Sequence, residues 1–254
     1  GEDWGFEFDG VVFDGVKQCR NACIFCFMRQ LPDDMRASLT LRDDDFRLSF
    51  LAGTFVTFTN FSVEDEARII EQHITADVAF AVDQYFAVTH DQDFMDRYGY
   101  EMLIDTARFW ASRVTWDEAK QAYVILDVIG PDEYKEHVNN NAYTNYMAAN
   151  NMRLALAAME TVEQRGGALY ERLNTLLNFA DTREKLLGVM ERMYLPKPDA
   201  NGIVPQFDGY FDLKHIDLTP YKRSSVLGTI YNDYNIEQIN TFQVHKQADT
   251  LVLM

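Results

Sequence analysis

Two short stretches of this sequence carry residue types whose spacing could do chemistry. The first is Cys19-x-x-x-Cys23-x-x-Cys26, which holds all three cysteines of the chain. An odd number of thiols in one tight cluster makes a poor disulfide framework. Three thiolates on one short loop can instead hold three irons of a 4Fe–4S cluster and leave one iron open. Free thiols, or a zinc site lacking its fourth ligand, are the plainer alternatives. The second stretch is Gly130-Pro131-Asp132-Glu133-Tyr134, which follows an apolar run ending at Ile129. Gly-Pro forces a turn, and a turn at a strand end can project an acid from a rigid scaffold, as a proton donor requires. Glu133 is the candidate donor, and Asp132 is expected to bond locally in the turn. Asn139, Asn140 and Asn141 follow. Their amides suit sugar hydroxyls, but they also suit a helix cap, and for Asn141 capping is preferred. The acidic run Asp43-Asp44-Asp45 reads as a solvated turn rather than a metal site.

These groups need elements to hold them. Residues 1–61 read as β-rich and punctuated by Gly5, Gly10 and Gly15, and Ser62 opens a helix that runs to about Gln72. After Thr75 the texture changes. Val78, Val82, Tyr85 and Phe86 sit at helical spacing, as do Leu103, Ala107, Trp110 and Val114. Tyr143, Met147, Leu154 and Ala158 mark another helix, stopped by Gly166-Gly167. Asp181 with Glu184 is read as the cap of a further one. Tyr123 to Ile129 reads as the strand that leads to the Glu133 turn. The pattern predicts an α/β part over residues 1–74 and an all-α part over residues 75–254.

Bulk properties narrow the partners. The chain has 254 residues, 47% hydrophobic and 25% charged, enough for one large domain or two small ones. A formal net charge of −17 repels phosphate backbones, so nucleic acid is not an expected partner. No apolar run reaches the ~20 residues that a membrane helix needs. The clustered cysteines suit a reducing cytoplasm, and the chain reads as a fragment.

The Gly130–Tyr134 turn and the segment Val138 to Asn145 resemble the family 65 glycoside phosphorylases. So do Ala107-Arg108-Phe109-Trp110, Gln206 to Phe211, and His245-Lys246-Gln247-Ala248-Asp249. The resemblance covers residues 75–254. It implies a mainly α chain whose helices form an incomplete (α/α)6 barrel. It implies that Glu133 is the general acid and that Lys246 and Gln247 hold glucose. The implied chemistry is inverting phosphorolysis of an α-glucosidic disaccharide of maltose or kojibiose type, with inorganic phosphate as co-substrate. The resemblance admits a homodimer. Burial in a glucose-wide cavity, flanked by Glu133 and Lys246, is expected to keep part of the Glu133 population protonated near neutral pH. The family's phosphate-binding loop and first barrel helices have no counterpart in these residues, and the chain is expected to be inactive alone.

The N-terminal residues resemble a different family. The cysteine motif, with its flanks Gly1-Glu2-Asp3-Trp4-Gly5 and Cys26 to Pro32, resembles a radical-SAM family. The resemblance covers residues 1–74 and implies a small α/β fragment of a partial TIM barrel. It further implies a 4Fe–4S cluster on Cys19, Cys23 and Cys26 and S-adenosylmethionine as cofactor. Two unrelated resemblances meeting near His73-Ile74-Thr75 suggest a chimera of two fragments.

Overall fold

A computed structural model describes residues 70–222 and 229–253. The expected N-terminal strands, most of the helix expected from Ser62 to about Gln72, and the three cysteines lie outside the described residues; residues 70–72, the expected end of that helix, are not helical. Residues from Ile70 onward belong to one compact unit, and it is mainly helical.

Helix α1 (Ile74–Thr89) ends where His90 takes a left-handed conformation at φ 54°. A short helical turn at Gln92–Phe94 and a π-helical turn at Met95–Gly99 lead into α2 (Tyr100–Arg113). Of the apolar residues assigned to α2 by spacing, Leu103, Ala107 and Trp110 are buried. On α1 the spacing is a weaker guide. Val82 is buried, whereas Val78 and Tyr85 are exposed.

The long helix α3 (Ala142–Arg165) supplies the centre of the core. Ala148, Met152, Ala155, Met159 and Val162 are buried at alternating steps of four and three, which is one face of an α-helix. Small residues on this face let α2 approach closely. Asn151, buried on the same side, donates its amide to the Leu103 carbonyl at 3.1 Å. Gly166 and Gly167 both take positive φ, 62° and 63°, a region open to glycine at no steric cost. There the chain leaves α3 and enters α4 (Gly167–Leu177).

Helix α5 (Phe179–Glu191) is capped by Asn178, not by Asp181 as the sequence suggested. Asn178 adopts φ 44° and accepts from the Asp181 N–H at 3.5 Å. Asparagine tolerates the left-handed region and can therefore turn the chain and cap the helix at one position. Asp181 sits in the first turn, where its charge favours the helix dipole.

The expected strand from Tyr123 to Ile129 is shorter than predicted. Strand β1 (Thr115–Asp117) pairs antiparallel with β2 (Ala122–Val124), and β2 ends there. Asp127 at φ 56° breaks the extended run. Beyond it, Val128 exchanges backbone bonds with Val138 at 3.0 and 2.9 Å, and Ile129 donates to the Ile70 carbonyl at 2.8 Å. The run is held by loops rather than by a sheet. A second small core of Tyr134, Ile230, Ile239, Phe242 and Val244 lies under the segment that follows α5, which includes helix α6 (Ile236–Ile239).

Candidate functional site

The Gly130–Tyr134 turn closes through a 3.0 Å bond from the Lys135 N–H to the Asp132 carbonyl. Gly130 is required by close approach. A Cβ there would overlap Asp249 Oδ2 and Asn141 Nδ2. Those two atoms are bonded to each other at 2.7 Å directly above the glycine.

Asp132 was expected to bond within the turn. It does accept from the Tyr134 N–H at 3.2 Å, but its reach is far longer. The same oxygen accepts from the Lys246 N–H at 2.9 Å and the Gln247 N–H at 3.4 Å. The other oxygen accepts from the Gln206 amide at 2.9 Å. Asp132 is fully buried, so its carboxylate must find partners in the protein. It finds them in the backbone of residues 114 and 115 positions away.

This clamp brings the Lys246-Gln247 loop onto Glu133. Lys246 Nζ donates to Glu133 Oε2 at 2.7 Å, and Gln247 Nε2 donates to Glu133 Oε1 at 2.9 Å. The Gln247 side-chain oxygen accepts from the Glu133 N–H at 3.4 Å. The expected glucose-wide gap between Glu133 and Lys246 is therefore closed. The two opposite charges form a charge-assisted pair. The Glu133 side chain is half exposed, at 51%.

The protonation state also differs from the expectation. The Lys246 ammonium, hydrogen-bonded to Glu133, holds its carboxyl below the ordinary glutamate range. Partial burial pushes the other way, and the Gln247 amide adds to the lowering. Glu133 is thus ionised at neutral pH in this arrangement, not partly protonated. The same bond raises the Lys246 ammonium above its usual value.

The asparagines serve the scaffold. Asn141 caps α3 by accepting from the Thr144 N–H at 2.9 Å, as preferred from sequence. Asn140 accepts from the Ile125 N–H at 3.3 Å and donates to Asp208 at 2.8 Å. Asn139 accepts from the Asp127 N–H at 3.0 Å.

Three groups beside the turn, two of them buried, were not singled out from sequence. Asp249 accepts from the Asp132 N–H at 2.7 Å and from the Asn141 amide, and burial pushes its carboxyl up to about 6. Its place in Lys-Gln-Ala-Asp was the available signal. Lys135 is fully buried, bonds the Ile239 carbonyl at 2.8 Å, and is pushed by desolvation down to about 8. His245 stacks on Tyr210 with ring centres 5.2 Å apart and shares a 2.7 Å bond with its hydroxyl. Nothing in residue type alone marks Lys135 as buried.

Among the described residues no group of three or more His, Cys, Asp or Glu could hold a metal. Cys19, Cys23 and Cys26 lie outside them. No described helix is long and apolar enough to cross a membrane.

Comparison with known proteins agrees with both resemblances. A radical SAM-like domain model matches residues 1–83. Kojibiose phosphorylase of Halothermothrix orenii is 41% identical over 186 residues, which are 73% of this chain and 24% of that protein. Nigerose phosphorylase of Lachnoclostridium phytofermentans is 31% identical over 183 residues, 72% of this chain and 24% of that protein. A solved structure described as a kojibiose phosphorylase from the human microbiome superposes with a TM-score of 0.59 at 26% identity, covering 71% of this chain and 24% of its own. The chain thus spans about a quarter of the length of these relatives, and its helices are part of an (α/α)6 barrel. The model of the glycosyl hydrolase family 65 central catalytic domain matches residues 54–254, across the helices and both loops that meet at Glu133, and the chain belongs to that family.

Proposed function

We propose that residues 75–254 carry the proton donor and the sugar-holding groups of a disaccharide phosphorylase. Glu133 is the donor, and Lys246 and Gln247 hold the glucose at the cleavage point. The observation that carries this reading is the convergence of Lys246 and Gln247 on the two oxygens of Glu133, at 2.7 and 2.9 Å, from more than a hundred positions away. The names of the relatives support the reaction class.

In the proposed reaction an oxygen of inorganic phosphate attacks the anomeric carbon. The glycosidic C–O bond breaks, and the Glu133 proton passes to the departing oxygen. The products are β-glucose 1-phosphate and a shorter sugar. Phosphate takes the place of the water and base of an inverting hydrolase, so no second catalytic carboxylate is needed. A donor must be protonated before the step, and here Glu133 is ionised and paired. Glucose resolves this conflict on the present reading. Its hydroxyls take over the Lys246 ammonium and the Gln247 amide, which removes the contacts that depress the Glu133 carboxyl. Sugar binding then converts an ion-paired carboxylate into an acid beside the bond to be cleaved. The chain by itself, about a quarter of the length of its relatives, should show no turnover.

Residues 1–74 are proposed to descend from a radical-SAM protein, with Cys19, Cys23 and Cys26 as ligands of a 4Fe–4S cluster and S-adenosylmethionine as its cofactor. The match over residues 1–83 supports this second reading.

The first reading is tested by grafting residues 75–254 in place of the matching segment of the Halothermothrix orenii kojibiose phosphorylase. Kojibiose, maltose, nigerose and trehalose are each supplied with phosphate. The graft should release glucose 1-phosphate from at least one of them. Glu133→Gln in the graft should lower the rate by about 10²–10⁴-fold, the usual contribution of general acid catalysis. Equal turnover with Gln at this position would remove Glu133 from the donor role.

A further inference from the structure

The residues that meet the proposed substrate are held by a buried chain of bonds, and its starting point is a rigid element. Asn141 is the first of these links. It caps the 24-residue helix α3, and its side-chain oxygen is committed to Thr144. Its amide is free to point outward, and it donates to Asp249 Oδ2 at 2.7 Å. The other Asp249 oxygen accepts from the Asp132 N–H at 2.7 Å. Asp132 in turn grips the Lys246 and Gln247 peptides and the Gln206 amide. Gln206 is anchored to the same helix end, because its carbonyl accepts from the Ala142 N–H at 2.8 Å.

We propose that Asp249 is a positioning residue that links the α3 cap to the Asp132 peptide, and so sets the distance between Glu133 and the Lys246-Gln247 pair. Asp249 touches neither the reacting atoms nor the sugar on the reading above. It acts through Asp132. Two features argue against a merely space-filling role. Asp249 is 1% exposed and carries a carboxylate beside a second buried carboxylate, an arrangement that costs stability unless its hydrogen bonds offset it. The charge of Asp132 and the desolvation of Asp249 both oppose its ionisation, while the bonds from Asn141 and Asp132 favour it. Gly130 makes room for this bond, since a Cβ at that position would overlap Asp249 Oδ2 and Asn141 Nδ2.

The inference rests on the proposed role of Glu133 for its meaning, but its test needs no turnover. The whole chain is labelled with 13C at the glutamate carboxyl, and the Glu133 resonance is assigned by its loss in Glu133→Gln. In the native chain Glu133 should titrate below the ordinary glutamate range. Asp249→Asn keeps the acceptor for the Asp132 N–H but turns an amide toward the Asn141 amide, donor against donor. The Glu133 titration should then move up to the ordinary glutamate value, as Lys246 and Gln247 drift away. The swap Asn141→Asp with Asp249→Asn reverses donor and acceptor and restores both bonds, so the low Glu133 titration should return. An unchanged Glu133 titration in Asp249→Asn would overturn the proposal, whatever happens to the melting temperature. A folded swap in which Glu133 stays high would overturn it as well. So would a swap that fails to fold, because the proposal assigns Asp249 nothing beyond these two bonds. Turnover in the graft that Glu133→Gln leaves unchanged, with these titrations as expected, would instead count against the donor assignment alone.

Discussion

Gly130→Ala and Gly188→Ala are the same chemical change, and the structure gives them opposite signs. At Gly130 a methyl group would overlap Asp249 Oδ2 and Asn141 Nδ2 and lie 2.7 Å from Asn141 Cγ. Neither neighbour can swing away cheaply. Asn141 is 0% exposed and bonded to Thr144, and Asp249 is 1% exposed and bonded to the Asp132 N–H. Gly130 does not sit in the left-handed region, so alanine meets no backbone strain there and the cost is steric and polar alone. Breaking a hydrogen bond to a charged group costs about 1.5–3 kcal/mol. Overpacking a buried site adds about 1–3 kcal/mol. The variant should therefore lose roughly 3–5 kcal/mol, less what the loop recovers by shifting. Gly188 lies exposed in α5 and a Cβ there meets nothing within 4 Å. Alanine in an exposed helix interior gains about 0.8–1 kcal/mol over glycine. Urea unfolding of the full chain, followed by far-ultraviolet circular dichroism, reads both. The Gly130→Ala midpoint should fall well below the native one and the Gly188→Ala midpoint should rise above it. A Gly130→Ala chain as stable as the native one would refute the account of the turn, because the bond between Asn141 and Asp249 would then not occupy the space above Gly130.

Two further outcomes follow from buried and clustered groups. Lys135 has a folded value near 8 against about 10.4 unfolded. Between these values the unfolded chain binds the extra proton, so its contribution to stability rises with pH across the window, is complete above about 10.4, and is lost as pH falls through 8. Lys135→Met should flatten that part of the stability–pH curve, and a native and a variant curve that stay parallel from pH 8 to 10.4 would show that the amine is not desolvated. For the N-terminal residues, reconstitution with iron and sulfide should give the broad visible absorption of a thiolate-bound cluster. Its absence, or its persistence after Cys23→Ala, would remove the three cysteines as ligands.

The amino-acid sequence determined a good deal by itself. Period and caps placed α2 and α3, because an amphipathic face at helical spacing has one way to be buried. Gly130-Pro131 placed an acid on a turn, because those two residues leave the backbone few alternatives. Asn141 was legible as a cap because its bond is local, three residues along the chain. What failed was whatever depended on neighbours distant in sequence. The strand predicted to reach Ile129 stops at Val124, because pairing requires a partner and the partners of Val128 and Ile129 are loops. The cap of α5 fell to Asn178, whose left-handed turn is imposed by the exit from α4. Only the tertiary structure decided the state of Glu133. The protonated donor expected from burial is an ion pair, because Asp132 carries the backbone of Lys246 and Gln247 to it from the far end of the chain. Only the fold buried Lys135 and Asp249, charged residues that composition would leave in water. A charge leaves water only where several distant polar groups are brought to meet it, and that convergence is a property of the folded chain rather than of any segment of it.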